Sequence, residues 1–196
     1  CNARVEQITM DESKRKRNRA TGVILEGGAV ITASRAVVSN VNPRLMPALF
    51  PVSVAAEPAV KRVEKFQSGL ATMMIHVALN DLPSWTATEA RTYNYVHIGP
   101  YVDDMAMTYT DAAAGRLPAS PTLVIGQPTI TDPGRAPDGK HILWIQVRML
   151  PLDLADGSHW DDIAEQYADR VMEKIEEYAP GLTSLVIART VMSPLD

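Results

Sequence analysis

Strand-like and helix-like segments alternate along this chain without the regular strand–helix–strand order that builds a parallel sheet. Short runs rich in β-branched and aromatic residues are separated by turn residues, and one long helical segment stands near the end. This order predicts an α+β fold with a mixed, mainly antiparallel sheet and helices on one face. The 196 residues are enough for one domain with a full core, or for one domain and part of another.

The long helical segment covers residues 158–178, SHWDDIAEQYADRVMEKIEEY. Its apolar residues recur at intervals of three and four, which places them on one stripe of a helix. The stripe consists of Trp160, Ile163, Ala164, Tyr167, Val171 and Ile175. Ser158 is predicted to cap the helix, with Asp161 in its first turn, and APGL ends it.

Five strands and two shorter helices are predicted around this helix. The strands are residues 70–79, 93–99, 122–130, 141–150 and 184–190, and the helices are residues 58–66 and 102–115. The second helix begins with the acidic pair Asp103–Asp104 and ends at Gly115, as the helix dipole and the common glycine stop favour.

The amino-terminal part predicts a small β-meander. Residues 3–10 are compatible with a strand, and GVILEGGAVITA predicts two short strands around Gly27–Gly28. A further strand is predicted at residues 35–40, which would make a three-stranded meander followed by a crossing strand. The basic run at residues 14–19, KRKRNR, is interpreted as a solvated hairpin tip rather than as a phosphate-binding or targeting sequence.

The net charge of −4 argues against a general nucleic-acid-binding protein. Cys1 is the only cysteine, so no disulfide can form within the chain, and we expect a reducing compartment such as the cytoplasm. Peripheral membrane association of the full-length protein is the alternative. The chain starts inside a strand-like run and stops on a turn signal, SPLD, and we therefore expect a piece of a longer protein.

Only one catalytic motif has a formal match: Ser13 and Lys16 have the Ser-x-x-Lys spacing, but they lie in the basic hairpin without an apolar strand-to-helix setting. No Gly-x-Ser-x-Gly, cysteine–histidine pair, dinucleotide fingerprint or Walker loop occurs, so the catalytic residues are unknown. The four histidines do not have zinc-site spacing, and no metal site is predicted. His76 is predicted to lie in the core, and His97 either lines a cavity or lies exposed on a sheet face. His141 is predicted to pack against or hydrogen-bond the loop before it, and His159 to lie exposed or neutral in a helix's first turn.

Three stretches of the sequence resemble one family of flavoproteins. ATGVILEGGAVITASRAVVSNVNP resembles a segment of flavin-dependent oxidoreductases that runs from a Gly-Val strand through a glycine hairpin to an Asn/Asp-Pro turn. TITDPGRAPDGKHILWIQV is similar to a segment of the phytoene dehydrogenase-related branch. WDDIAEQYADRVMEKIEEYAPGL, followed by ARTVMSPLD, is similar to the late helix and turn of the same branch.

The resemblance implies FAD as the cofactor and a division of the chain between two domains. Residues 1–50 would be a meander and crossing strand of an FAD-binding domain, residues 51–190 a substrate-binding domain, and residues 191–196 the start of the return to the first. The FAD-binding segments of the same protein would lie outside this chain, which is therefore not expected to hold FAD tightly. By position, the backbone of Val5 would meet the adenine end of FAD, and Ser39 and Asn40 would end the strand under the flavin.

The resemblance also implies that a sheet forms one wall of a substrate cleft. The substrate-lining candidates are Met74, His76, Tyr95, His97 and Trp144. They belong to a wider set with Met73, Ile75, Leu79, Tyr93, Met105, Met107 and Leu143. Methionines and aromatics suit an extended apolar small-molecule substrate such as an isoprenoid or carotenoid, although a plain domain core explains any one of them equally well. The alternatives are a flavin amine oxidase, which the aromatic content of 6% disfavours, and a non-catalytic interaction module. Self-association into a homo-oligomer is expected from exposed apolar surface.

One loop, residues 131–141 or TDPGRAPDGKH, precedes the strongest strand of the sequence. It contains Pro133, Pro137, Gly134 and Gly139. The prolines fix φ and the glycines release it, so two turns in tandem are predicted to aim the strand. The loop is interpreted as structural. It would take part in ligand binding only if Lys140 or His141 pointed into the cleft.

Overall fold

The computed structural model describes residues 2–11, 18–99 and 101–196. The chain divides into two compact units, Cys1–Ser68 and Gly69–Asp196. Cys1 and the basic run as far as Arg17 lie outside the described residues. The assignment of the first part to an FAD-binding domain and of the second to a substrate-binding domain stays a prediction.

The first unit contains the predicted meander. Its strands are β1 (Val5–Asp11), β2 (Arg19–Leu25) and β3 (Val30–Thr32), paired antiparallel in sequence order. Gly27 and Gly28 form the turn between the last two strands with φ of 87° and 85°, values that glycine adopts readily. The hairpin prediction at this pair is confirmed.

The predicted crossing strand at residues 35–40 is wrong. These residues have no regular secondary structure, and Val38 is 93% exposed. Valines favour strands only where a neighbouring strand and a packing surface are present, and local sequence cannot supply either. The rest of the unit is short helices: a 3₁₀ helix at Pro43–Leu49, α1 (Val52–Ala55), α2 (Pro58–Lys61) and a 3₁₀ turn at Arg62–Lys65. The helix predicted at residues 58–66 is thus present, with Pro58 in its first position.

The second unit is built on a five-stranded sheet in the order β5–β6–β7–β4–β8, with every neighbouring pair antiparallel. The strands are β4 (Ala71–Leu79), β5 (Tyr95–Ile98), β6 (Thr122–Gly126), β7 (His141–Leu150) and β8 (Val186–Met192). The helices are α3 (Val102–Ala113), α4 (Trp160–Tyr178) and α5 (Leu182–Leu185). The predicted α+β class is confirmed, and the sheet is antiparallel throughout.

One face of this sheet forms the core together with α4. Successive side chains of a strand point to opposite faces, so alternate residues are buried. The buried sheet residues include Met73, Ile75, Val77, Leu79, Leu123, Ile125, Leu143, Ile145 and Val147. The predicted α4 stripe packs against them, and Tyr167, Val171 and Ile175 are almost fully buried. Within the described ranges, no helix is both long enough and apolar enough to cross a membrane.

The predicted cap of α4 is wrong by one residue. The helix begins at Trp160, and His159 caps it by accepting a hydrogen bond from the Asp161 N–H at Nδ1, 3.4 Å away. The backbone N–H and the hydroxyl of Ser158 instead donate to the Asp156 carboxylate. These hydrogen bonds lower the pKa of Asp156. Ser158 is held in the preceding turn by this carboxylate, so the imidazole next to it takes the capping position.

Candidate functional site on the distal face of the sheet

The five substrate-lining candidates lie on one face of the five-stranded sheet, the side opposite α4, which we call the distal face. Met74 and His76 alternate with the buried residues of β4, and Trp144 alternates with those of β7. Tyr95 and His97 do the same on β5, where Ile98 is buried. Strand alternation therefore brings together residues from three strands that the sequence offered as separate candidates.

The strand register arranges these side chains in two parallel rows across the sheet. One row consists of Met192, Met74, Gln146, Val124 and His97, and the next consists of Thr190, His76, Trp144, Gly126 and Tyr95. Neighbouring strands are separated by about 4.8 Å, so the side chains within a row are neighbours. The two rows thus hold two methionines, two aromatic rings and two imidazoles, with Gln146, Val124, Thr190 and Gly126 among them.

The candidates differ in how far they are covered. His76, Tyr95 and His97 are exposed, whereas Met74 and Trp144 are half-buried. The prediction that His76 is a core histidine is wrong, because even-numbered residues of β4 face away from α4. His97 is exposed on the sheet face, which was one of its two predicted positions.

The wider predicted set is divided by the same alternation. Met73, Ile75, Leu79 and Leu143 are core residues on the α4 side. Tyr93 precedes β5, and Met105 and Met107 lie on α3. The side chains of all three are exposed. For the four buried members, the interpretation as a plain domain core is the one confirmed.

A groove of about 360 Å³ lies on the distal face. Its floor is formed by side chains of three adjacent strands: His76, Ala78, Ile142, Trp144, Ala188 and Thr190. Pro128 and Arg135, from the connection between β6 and β7, border it. Ala78 pairs with both Ala188 and Ile142, so two small side chains stand where larger ones would fill the depression.

The loop at residues 131–141 contains two turns, as predicted, but only one glycine in it needs special backbone freedom. Pro133–Arg135 forms a 3₁₀ turn, and Gly134 has no positive φ. Gly139 has φ of 69°, and the Lys140 N–H donates to the Pro137 carbonyl at 2.9 Å, which closes the second turn.

The loop borders the groove through Arg135, which no sequence motif marks. The Nδ1 of His141 lies 2.9 Å from the Thr129 hydroxyl, in agreement with its predicted structural role, and Lys140 donates to Asn80 Oδ1 at 2.8 Å. Arg135 instead stands at the groove. The one sequence feature that could have indicated this role is the position of Arg135 between Pro133 and Pro137. Two prolines stiffen the backbone of a loop, and a stiff loop holds the side chain between them in one direction.

The predicted FAD contacts lie in the first unit. Val5 opens β1 opposite Leu25. Ser39 and Asn40 are exposed in the irregular segment, where the Ser39 hydroxyl accepts a hydrogen bond from the Val41 N–H at 3.3 Å.

These three residues do not make up a dinucleotide site by themselves. A dinucleotide site needs a glycine-rich turn at a helix N-terminus, which binds the diphosphate. The glycines of the first unit lie in β2 and in the hairpin instead. Among the described residues of this unit, every buried side-chain nitrogen or oxygen already has a hydrogen-bond partner, so none is left for a ligand to satisfy. The roles of Val5, Ser39 and Asn40 toward FAD stay predictions.

Comparison with known proteins finds oxidoreductases among the similar proteins, although no family model matches the chain. Pyridine nucleotide-disulfide oxidoreductase domain-containing protein 2 of Rattus norvegicus is 29% identical over 189 residues, which cover 91% of this chain and 32% of the relative. Phytoene dehydrogenase of Streptomyces griseus is 31% identical over 84 residues, 42% of this chain and 17% of that protein. The chain is thus similar, at modest identity, to phytoene dehydrogenase-like oxidoreductases.

One solved structure has a similar fold. The crystal structure of an oxidoreductase from Methanosarcina mazei superposes with a TM-score of 0.52 at 17% identity, over 97% of this chain and 37% of that one. At this identity the likeness concerns the fold alone. The chain spans about a third of the length of the phytoene dehydrogenase-like relatives that it matches along most of its own length.

Proposed function

We propose that this chain supplies the substrate-binding part of an FAD-dependent oxidoreductase of the dehydrogenase or desaturase type. The substrate would be elongated and apolar, as isoprenoids and carotenoids are. The observation that carries the proposal is the pair of side-chain rows on the distal face, with Met74, Trp144 and Tyr95 among their members. FAD, when bound, would supply the redox chemistry by accepting a hydride from the substrate.

The distal face has the composition of a ligand-binding wall. Binding sites for small molecules are mostly apolar and carry a few polar groups that set orientation. Here Met74 and Trp144 supply adaptable and flat apolar surface, while His76 and His97 place ring nitrogens at two points along it. These residues would bind and orient the substrate and keep water away from the part that reacts.

The cofactor would be bound mainly by FAD-binding segments elsewhere in the same protein, since the chain corresponds to a third of its relatives. Val5, Ser39 and Asn40 would add contacts at the margin of FAD. The exposed apolar residues of the first unit, Val38 and Val52 among them, would be covered by those segments or by a second copy of the protein.

The test uses the complete open reading frame that encodes these residues. The purified protein is expected to show an oxidised flavin spectrum, and anaerobic addition of phytoene in detergent micelles is expected to bleach it. Trp144→Ala should retain the flavin but slow the bleaching, because the apolar wall is reduced. Gln166→Ala, on the exposed side of α4, is the matched control and should behave as wild type.

Three outcomes would contradict the proposal. Purification without flavin would favour a non-catalytic interaction module. Bleaching by benzylamine and not by phytoene would favour an amine oxidase. Equal bleaching rates in wild type and Trp144→Ala would show that the distal face is not the substrate wall.

A further inference from the structure

We infer that the groove on the distal face binds an apolar chain that ends in a carboxylate. This inference rests on the proposed function and makes it more specific, because it assigns one end of the groove to a charged group. The groove volume of about 360 Å³ is within the range of small-molecule sites. The apolar part of such a ligand would lie over Ala78, Ile142 and Ala188, which form the low part of the floor.

Arg135 supplies the group that recognises the carboxylate. A guanidinium carries a fork of donors that matches the two oxygens of a carboxylate. Its Nε donates to Asp132 Oδ2 at 3.0 Å, and among the described residues no acceptor is hydrogen-bonded to either terminal nitrogen. One edge of the guanidinium is therefore held by Asp132, while its two terminal nitrogens keep their donors for a ligand.

Two further hydrogen-bond donors line the groove. His76 and Thr190 are cross-strand partners on β4 and β8, and both line the groove. Both side chains can donate a hydrogen bond to a carboxylate oxygen.

The local charge also favours an anion over a cation. None of the described residues that line the groove is acidic, and the Asp132 carboxylate is already paired with Arg135. An amine in the groove would meet the guanidinium without an acidic partner of its own. A neutral chain would leave the terminal nitrogens of Arg135 to water.

The test measures binding of octanoate and of 1-octanol to the 196-residue chain by tryptophan fluorescence. Trp85 and Trp160 are buried, whereas Trp144 is half-exposed in the groove, so the signal is expected to come from Trp144 and to be lost in Trp144→Phe. Octanoate is expected to bind more tightly than 1-octanol. Arg135→Gln should weaken octanoate binding by about five- to tenfold and leave 1-octanol unchanged.

Arg148→Gln is the matched control. Arg148 lies on β7 on the same face of the sheet as Trp144 but outside the groove, so the variant removes an equal charge. Its octanoate affinity should equal that of wild type. Equal affinity for octanoate and 1-octanol, or equal weakening in both arginine variants, would overturn the carboxylate assignment and leave the apolar wall intact. Failure of both probes to bind would also overturn it, while flavin bleaching in the full-length protein would still test the proposed function separately.

Discussion

The indole of Trp144 occupies the space that a side chain on Gly126 would need. A Cβ at residue 126 would lie 2.2 Å from Cε2 and 2.3 Å from Nε1 of Trp144, its cross-strand partner on β7. On the other side, Gly126 pairs with Tyr95, whose ring meets the indole edge to face with centroids 5.4 Å apart. Glycine on the middle strand thus allows two aromatic rings on strands β5 and β7 to meet above it.

Gly126→Ala is therefore expected to displace Trp144. A methyl group cannot occupy the space of the indole, so the free energy of unfolding should fall by about 1–3 kcal/mol. Urea unfolding followed by circular dichroism measures this, and the tryptophan emission should shift as the ring becomes more exposed. Gly99→Ala is the control, since a Cβ there would meet only Thr122 Cγ2 at 3.8 Å. Equal stability of the two variants would contradict the close packing.

Gln127→Leu is expected to destabilise the second unit. Gln127 is fully buried and fully paired: its Oε1 accepts from Trp85 Nε1 at 2.9 Å, and its Nε2 donates to the carbonyls of Ala90 and Tyr93 at 2.9 and 2.8 Å. Leucine would leave the Trp85 N–H and the Tyr93 carbonyl without partners, at a cost of about 3 kcal/mol. The Ala90 carbonyl would lose one of its two donors and keep the Tyr93 N–H at 3.3 Å. The midpoint of urea unfolding is measured for this variant and for Gln166→Leu, a control on the surface. A loss of stability no larger than in the control would show that the hydrogen bonds of Gln127 do not stabilise the unit.

The carboxyl group of Glu176 is expected to make the free energy of unfolding depend on pH. Hydrogen bonds from the N–H groups of Thr183 and Gly181 lower the pKa of its carboxyl, so the folded protein binds this proton less well than the unfolded chain. The carboxylate therefore stabilises the fold above the unfolded value of 4.5, and this contribution is lost as the pH falls through the lower folded value.

Thermal unfolding across this pH range measures the effect. Glu176→Gln should lose less stability on acidification than wild type, because its side chain does not titrate. Glu173→Gln, one turn earlier on α4, serves as the control and should retain the wild-type slope. The same slope in Glu176→Gln and wild type would show that these hydrogen bonds carry no such effect.

Arg189→Met is expected to loosen β8, the edge strand next to β4. Arg189 binds Glu165 Oε2 at 2.6 Å and Asp169 Oδ1 at 2.7 Å on α4, and its side chain is only 24% exposed. Loss of this double ion pair should cost about 1 kcal/mol in low salt and less in high salt. Hydrogen exchange of the β8 amides measures it locally. Arg91→Met breaks the more exposed pair with Asp81 and should leave β8 exchange unchanged. Unchanged exchange in Arg189→Met would show that the pair does not secure the strand.

The 196-residue chain alone is expected to purify without stoichiometric FAD. Its eleven glycines form neither a dinucleotide fingerprint nor a Walker loop, so nothing in the sequence provides the usual diphosphate site. The absorbance spectrum of the purified chain measures this directly. A yellow protein with one flavin per chain would contradict the expectation and would place the FAD site within these residues.

Local patterns predicted the elements well where the pattern was long. The stripe of α4 and the apolar runs of β4 and β7 appear within two residues of the predicted limits. The errors concern short or ambiguous segments. Residues 35–40 look like a strand but pair with none among the described residues, and Ser158 looks like a cap but is held by Asp156.

The candidate site was predictable as a set of residues but not as a surface. Period-two alternation divides β4 into Met73, Ile75, Val77 and Leu79 on one side and Met74, His76 and Ala78 on the other. Both sets are largely apolar, so the sequence alone could not decide which set meets α4. It therefore placed His76 in the core and missed Arg135, whose position depends on where the loop crosses the sheet.

The sequence by itself determined the secondary-structure elements. Strand and helix periods, hairpin glycines and stiff loops are properties of neighbouring residues. What only the tertiary structure decided was which strands pair, in which register, and which face α4 covers. Those choices depend on contacts between residues far apart in the chain, as the pairing of Gly126 with both Tyr95 and Trp144 shows. The groove exists because the register between β4 and β8 pairs two small side chains, Ala78 and Ala188, where Pro128 and Arg135 from the connection between β6 and β7 border them.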